Sequence, residues 1–219
     1  MPSMYETIRE LPLFKGIGDE HLSSLLEKTS LDFIKLEPGD YLWHKDDPVK
    51  SLGFILNGIV SQVYKLKNFD LSIEERLGKG SVIGAQHLFG LIIRHPSSAL
   101  AVSSESVMTV DKEQYMKILS SDQIYLLNYL NYLSASTQRR GKSYIDIKPY
   151  TIANCLKIIG FNLSTTLASE IRFNGSDSEF AKLLNIPVET FREWKNREAS
   201  LQGFSFEDNS LILKKEVFI

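Results

Sequence analysis

The chain has 219 residues, 43% hydrophobic and 24% charged, which is the balance of a globular protein large enough for one large or two small domains. It has no run of about 18 apolar residues, and MPSMYETIRE lacks an apolar signal segment, so a soluble cytoplasmic protein without membrane contact is expected. Its single cysteine, Cys155, excludes an internal disulfide framework and any four-cysteine zinc or iron–sulfur site, and the net charge of −2 gives no basic signature overall.

In chain order, Leu11 to about Leu26 reads as helical, with Leu22, Leu25 and Leu26 on one face. From Leu31 to Val110 the texture changes to short β-like runs. Tyr41–Trp43, Leu52–Leu56, Ile59–Leu66, Ser72–Leu77 and Ala99–Val110 are separated by breakers such as Pro38-Gly39-Asp40, Asp46-Asp47-Pro48, Asn57-Gly58 and Gly78-Lys79-Gly80. Short strands punctuated this way predict a sandwich or jelly roll. From Asp111 to about Arg140 helical texture returns. Leu126, Leu130, Leu133 and Thr137 follow the spacing of a short coiled-coil seam, with Leu127 beside it, and we expect a dimer contact there.

The segment Asp177–Arg197 is the most informative stretch. Phe180, Leu183 and Leu184 make one apolar stripe behind a capping box formed by Ser176 and Glu179. Asn185 marks a sharp turn, and Pro187 suits the start of a second helix. In that second helix Phe191 and Trp194 are expected inside, while Glu189, Arg192, Glu193 and Asn196 share the opposite face. Gly203 is expected to end it, and Phe204–Phe206 and Leu211–Leu213 flank Glu207-Asp208-Asn209-Ser210 as a β-hairpin. Two short helices and a hairpin in this order predict a winged helix-turn-helix, whose second helix enters the DNA major groove. The charge is divided in the matching sense. Residues 139–219 carry 12 Lys+Arg against 10 Asp+Glu, with local basic clusters at Arg139, Arg140 and Lys142 and at Arg192, Lys195 and Arg197.

The order of helix, β-roll, long helix and winged helix-turn-helix resembles the Crp/Fnr family of bacterial transcription regulators across nearly the whole chain. The resemblance is carried by Leu11-Pro-Leu-Phe14, Pro38-Gly39-Asp40, Phe54-Ile-Leu-Asn-Gly58, Gly80, Ile83 and Gly84. In the C-terminal part Ala181, Leu184, Ile186 and Val188-Glu189-Thr190-Phe191 carry it. It implies an α+β fold with a cyclic-nucleotide-binding-like β-roll effector domain at 1–120. A dimerisation helix and hinge follow at 121–142, and a winged helix-turn-helix DNA-binding domain at 143–219. It also implies a non-enzymatic homodimer that binds a palindromic operator on double-stranded DNA, with RNA polymerase as a further partner.

Departures from the family pattern bear on the effector. The resemblance places a ribose-binding Glu where this chain has Ala85, after Gly84, and a phosphate-gripping Arg where it has Ser97, followed by Ser98. A buried phosphate without a cationic partner lacks its strongest bonds, so cyclic AMP is not the expected effector. Arg94 is the nearby cation, and Ser136 and Thr137 fall where relatives contact the base. These residues are candidates for an unknown small-molecule effector. No cofactor or metal is expected. The four histidines show no H-x-H spacing, which argues against a cupin-like enzyme.

On the DNA side, Val188, Glu189, Arg192, Glu193 and Asn196 are the candidates for base edges. The resemblance maps Glu189 onto the family's base-reading Glu, while Thr190, Lys195 and Arg197 suit phosphates. The family commonly has Arg at the position of Glu193, so Arg192 is expected to take over guanine contact, on an operator of its own. The competing expectation is a non-catalytic ligand- or protein-interaction module with a degenerate β-roll.

Overall fold

The computed structural model describes residues 4–145, 151–163, 168–207 and 209–214. The fold is α+β, and the chain divides into two compact units, Met1–Ser61 with Leu77–Ser136 and Gln62–Arg76 with Thr137–Ile219. Residues 62–76, which the strand pattern groups with the β-roll, therefore belong with the C-terminal segment.

The first unit opens with α1 (Met4–Arg9), a 3₁₀ turn at Pro12–Phe14 and α2 (Asp19–Lys28). The single helix expected from Leu11 to Leu26 is thus broken. Gly16 sits at φ +76°, a left-handed backbone that no continuous helix passes through, and α2 starts only at Asp19, burying Leu22 and Leu25.

Strands β1 (Asp32–Leu36), β2 (Tyr41–Trp43), β3 (Ser51–Asn57), β6 (Val82–Ile83), β7 (Ala99–Ala101) and β8 (Glu105–Asp111) follow, with β4 (Val60–Lys65) and β5 (Ser72–Leu77) crossing the boundary between units. One antiparallel sheet runs β1-β8-β3-β6, with Phe54 opposite Met108 and Ile34 opposite Val107, and β2 pairs with β7. The run Ala99–Val110, one strand by pattern alone, is two, split around Ser103 and Ser104, and β6 is a two-residue strand too short to be seen in periodicity. Strand β3 is buried at four consecutive positions from Leu52 to Ile55, so it reads as a continuous apolar run.

Helix α3 (Lys112–Ser121) leads into α4 (Gln123–Ile145), capped by Asp122, whose Oδ1 accepts from the Ile124 amide at 2.9 Å. Tyr125, Tyr129, Tyr132 and Ser136 form the buried stripe of α4, one position behind the leucine seam. Tyr125 meets Phe14 edge-on at 6.1 Å, Phe14 meets Phe54 at 5.5 Å, and Tyr129 meets Tyr115 at 5.5 Å. Leu126, Leu127 and Leu130 are left 41%, 54% and 48% exposed.

In the second unit hydrogen-bonded strands run in the order β4-β5-β9-β11-β10, where β9 is Ala168–Asn174, β10 Phe204–Glu207 and β11 Ser210–Lys214. Helix α5 (Ile152–Leu163) packs on β9: a Cβ at Gly160 would stand 3.1 Å from the Phe173 ring. Neither α5 nor β9 stands out in the sequence. Helices α6 (Asp177–Leu184) and α7 (Val188–Arg197) precede the β10–β11 hairpin. Their core is aromatic: Phe180 stacks on Phe191 at 5.0 Å, and Trp194 meets Phe204 edge-on at 5.5 Å.

Among the described residues no helix is long and apolar enough to cross a membrane. No group of three or more His, Cys, Asp or Glu among them is placed to hold a metal.

Candidate nucleic-acid interface and effector loop

The turn between α6 and α7 is built from local chemistry. The Ser176 hydroxyl caps α6, accepting from the Glu179 amide at 3.3 Å. The reciprocal half of the expected capping box is not made: the Glu179 carboxylate instead accepts from the Asp70 amide at 3.0 Å, tying α6 to the β4–β5 hairpin. Asn185 takes the left-handed conformation at φ 54°, and the Ile186 amide donates back to Ala181 O at 3.0 Å, closing the helix end. Pro187 caps α7 with extended backbone, one position before the helix begins.

Helix α7 buries Phe191 and Trp194 and turns the rest outward. Glu189, Thr190, Arg192, Glu193, Asn196 and Arg197 are exposed, and Val188 and Lys195 half-buried. The helix ends at Arg197, not at Gly203. A 3₁₀ turn at Ser200–Gln202 intervenes, and Gly203, at φ 89°, closes that turn just before β10. Asp208 at the hairpin tip and the side chains of Arg139, Arg140 and Lys142 lie outside the described residues.

Four of the charges on this surface are partnered within the fold. Asp177 Oδ1 accepts from Lys195 Nζ at 2.8 Å and Oδ2 from Arg192 Nε at 3.4 Å, while Glu189 stands 3.6 Å from Arg192 Nη1. Burial would raise the Asp177 carboxyl, but the bonds and charges of Lys195 and Arg192 outweigh it and keep the group below the ordinary carboxylate value. On the hairpin Glu207 is held by Arg172 Nη2 at 2.9 Å, and the same buried arginine also bonds Glu170 through Nε, so one cation is shared between two carboxylates. An open groove between these elements is lined by Ser176, Ser178, Arg192, Lys195, Asn209 and Ser210. Sequence reading found Arg192 and Lys195 but missed Asp177, because its partners lie a helix away and no fixed spacing links them.

In the first unit the structure brings some of the effector candidates together. Gly84 sits at φ 86° and 3.1 Å of clearance separates a Cβ there from Ser51 O. Ala85 is 3% exposed and its carbonyl accepts from Tyr129 Oη at 2.7 Å. Gln86 Nε2 donates to Ser136 Oγ at 2.9 Å, while Tyr132 Oη donates to Val82 O at 3.2 Å. The 82–86 segment is therefore fastened along the tyrosine stripe of α4.

Arg94 and Ser98 face elsewhere. Arg94 is exposed and its Nη1 donates to Asp46 O at 2.6 Å, and Ser98 Oγ accepts from the Lys45 amide at 2.9 Å. Ser97 is fully buried, and its hydroxyl has no hydrogen-bond partner among the described residues. Thr137 is exposed on α4. Between Arg94 and Ser97, His95 is buried and stacked on Trp43 at 4.0 Å. Burial pulls its pKa down to about 4, helped by His87 and opposed by Asp47, so the imidazole is neutral at neutral pH. No cation other than the outward-tied Arg94 lies in the 84–98 loop by sequence, and a buried anion there would lack a charged donor.

A search of the curated proteins gave no match. Many solved structures are similar to the chain, three of them as follows. The catabolite activator protein of Thermus thermophilus is 17% identical with a TM-score of 0.45, over 94% of each chain. The sensor domain of the transcriptional regulator DNR from Pseudomonas aeruginosa is 20% identical with a TM-score of 0.49, over 59% of this chain and 90% of that one. The N-terminal domain of a transcriptional regulator from Streptomyces coelicolor A3(2) is 20% identical with a TM-score of 0.48, over 65% and 97%. The stretch that holds the four-stranded sheet and the 84–98 loop, residues 33–122, matches the family model of the cyclic nucleotide-binding domain.

Proposed function

We propose that the chain is a sequence-specific, DNA-binding transcription regulator of the Crp/Fnr type. In this reading α6 and α7 form a helix-turn-helix with the β10–β11 hairpin as its wing, and the protein acts in the cytoplasm, without catalysis. The observation that carries the proposal is helix α7 itself. It is anchored by Phe191 and Trp194 and presents Glu189, Arg192, Glu193 and Asn196 outward behind a tight left-handed turn. Arg192 reads guanine, Glu189 accepts from a cytosine amino group, and Thr190, Lys195 and Arg197 meet phosphates. Val188 lies at the edge of the reading face.

The exposed leucines 126, 127 and 130, with Leu133 and Thr137 in line, form the seam of a homodimer, supported by their exposure beside a fully packed tyrosine stripe. Two-fold symmetry then calls for a palindromic operator with half-sites about one helical turn apart, and RNA polymerase is the further partner. The effector is not cyclic AMP: Ala85 and Ser97 offer neither the carboxylate nor the cation it needs, and Arg94 donates to the Asp46 backbone carbonyl. A different small molecule is the signal in this proposal.

Selection of binding sites from random duplex DNA tests the reading. A palindrome is expected, and Arg192→Ala should relax choice at one base per half-site by roughly tenfold. No enrichment at any salt concentration would refute it.

A further inference from the structure

We propose that Asp177 is the positioning residue that fixes how Arg192 meets its base, an inference that rests on the DNA-reading role proposed for α7. Asp177 is the first residue of α6 and its carboxylate spans two cations of α7, bonding Lys195 Nζ through Oδ1 at 2.8 Å and Arg192 Nε through Oδ2 at 3.4 Å. Its side chain is 24% exposed against 56% for Arg192, so the carboxylate sits at the foot of the arginine while the guanidinium reaches outward.

The atom used on Arg192 matters. Nε lies on the flank of the guanidinium, so a carboxylate there fixes the plane of the group and leaves both terminal nitrogens to donate. Glu189 approaches Nη1 only at 3.6 Å, outside hydrogen-bonding range. Guanine offers O6 and N7 in the major groove, two acceptors that fit such a pair of donors. An arginine already held in plane loses less side-chain freedom when it forms those bonds, and a misoriented one gains no advantage from the correct base.

The second oxygen serves a separate end. Lys195 Nζ is bonded to Asp177 and lies 5.3 Å from the Phe206 ring, so it is held between α6 and the hairpin. Asp177 also places one negative charge beside Lys195 and Arg192, which lowers attraction to DNA of any sequence. Asp177 thus improves base choice while weakening unspecific affinity. A role in folding alone produces no such opposed pair of effects.

The test uses the full-length protein and the duplex that it selects, with each base of the half-site varied. Asp177→Asn keeps the size of the side chain, and Asp177→Ser gives a second variant suited to the first turn of a helix, so loss of folding in one does not end the experiment. Both should lower the preference for guanine at the Arg192 position by roughly tenfold while binding to unrelated duplex tightens with a steeper salt dependence. Added to Arg192→Ala, either should change base preference no further, as expected for residues acting through one contact. The proposal is overturned if Arg192→Ala loses the preference while the folded Asp177 variants keep it at every base. If the wild-type protein selects no sequence, the DNA-reading role fails first and this proposal fails with it.

Discussion

Glu105 gives the sharpest test of the β-roll energetics. It opens β8, is 3% exposed, and neither carboxylate oxygen has a hydrogen-bond partner among the described residues. Burial pushes its pKa from 4.5 up to about 7. The folded chain therefore keeps a proton on Glu105 that the unfolded chain gives up at lower pH, and the stability linked to this group is complete below 4.5 and lost as pH rises through about 7. At 1.36 kcal/mol per tenfold step the full loss is at most about 3.4 kcal/mol, and roughly 2.5 kcal/mol of it falls between about pH 5 and about pH 8. Glu105→Gln removes the titration at nearly constant volume. Urea unfolding of both proteins across that range should show the variant gaining on the wild type as pH rises. His95, held near 4 by burial, shifts stability in the opposite sense below 6.5, but it is common to both proteins and cancels from the difference. Parallel curves for the two proteins would refute the assignment of a buried, unpaired carboxyl.

Three further outcomes follow from the geometry. Gly58→Ala should cost at least about 2 kcal/mol in urea unfolding, because Gly58 sits at φ +85° and the new Cβ would meet Glu105 Cβ at 2.4 Å, with the Ser104 carbonyl at 2.8 Å. Tyr129→Phe should cost about 1–3 kcal/mol by the same measurement, since it leaves the buried Ala85 carbonyl without its donor, and burial raises the Tyr129 hydroxyl to about 12, so it stays protonated across the working range. Leu130→Glu should leave the protomer folded, because the side chain is 48% exposed, yet shift the assembly to monomer in sedimentation experiments; a wild-type protein that is monomeric at every concentration would remove the proposed dimer.

The elements legible in the sequence are those whose signal is local. The left-handed Asn185, the Ser176 cap and the inward Phe191 and Trp194 are each fixed by residue type and by spacing within one helix or turn, and the structure has all of them. The alternating run Ser72–Leu77 is likewise a strand, buried at every second position. Signals fail where neighbours decide. The long helix contains two stripes at helical spacing, one of tyrosines and one of leucines, and spacing cannot say which packs inward. Hydrogen-bond acceptors on Ala85 and Val82, placed by the β-roll, receive the hydroxyls of Tyr129 and Tyr132, while the Tyr125 hydroxyl is buried without a partner among the described residues and its ring packs on Phe14.

The same division runs through the candidate sites. By itself the sequence determined an α+β chain with strands, a long helix, and a helix–turn–helix–hairpin order, because hydrophobic period and turn chemistry act over a few residues. It also shows Arg94 as the one Lys or Arg among residues 84–98. Tertiary structure alone decided that residues 62–76 join the C-terminal unit, that Glu179 bonds the Asp70 amide instead of completing its own cap, and that Asp177 grips Arg192 and Lys195. Those contacts join groups from separate elements, and their energy depends on distances of about 3 Å that no pattern along one chain encodes.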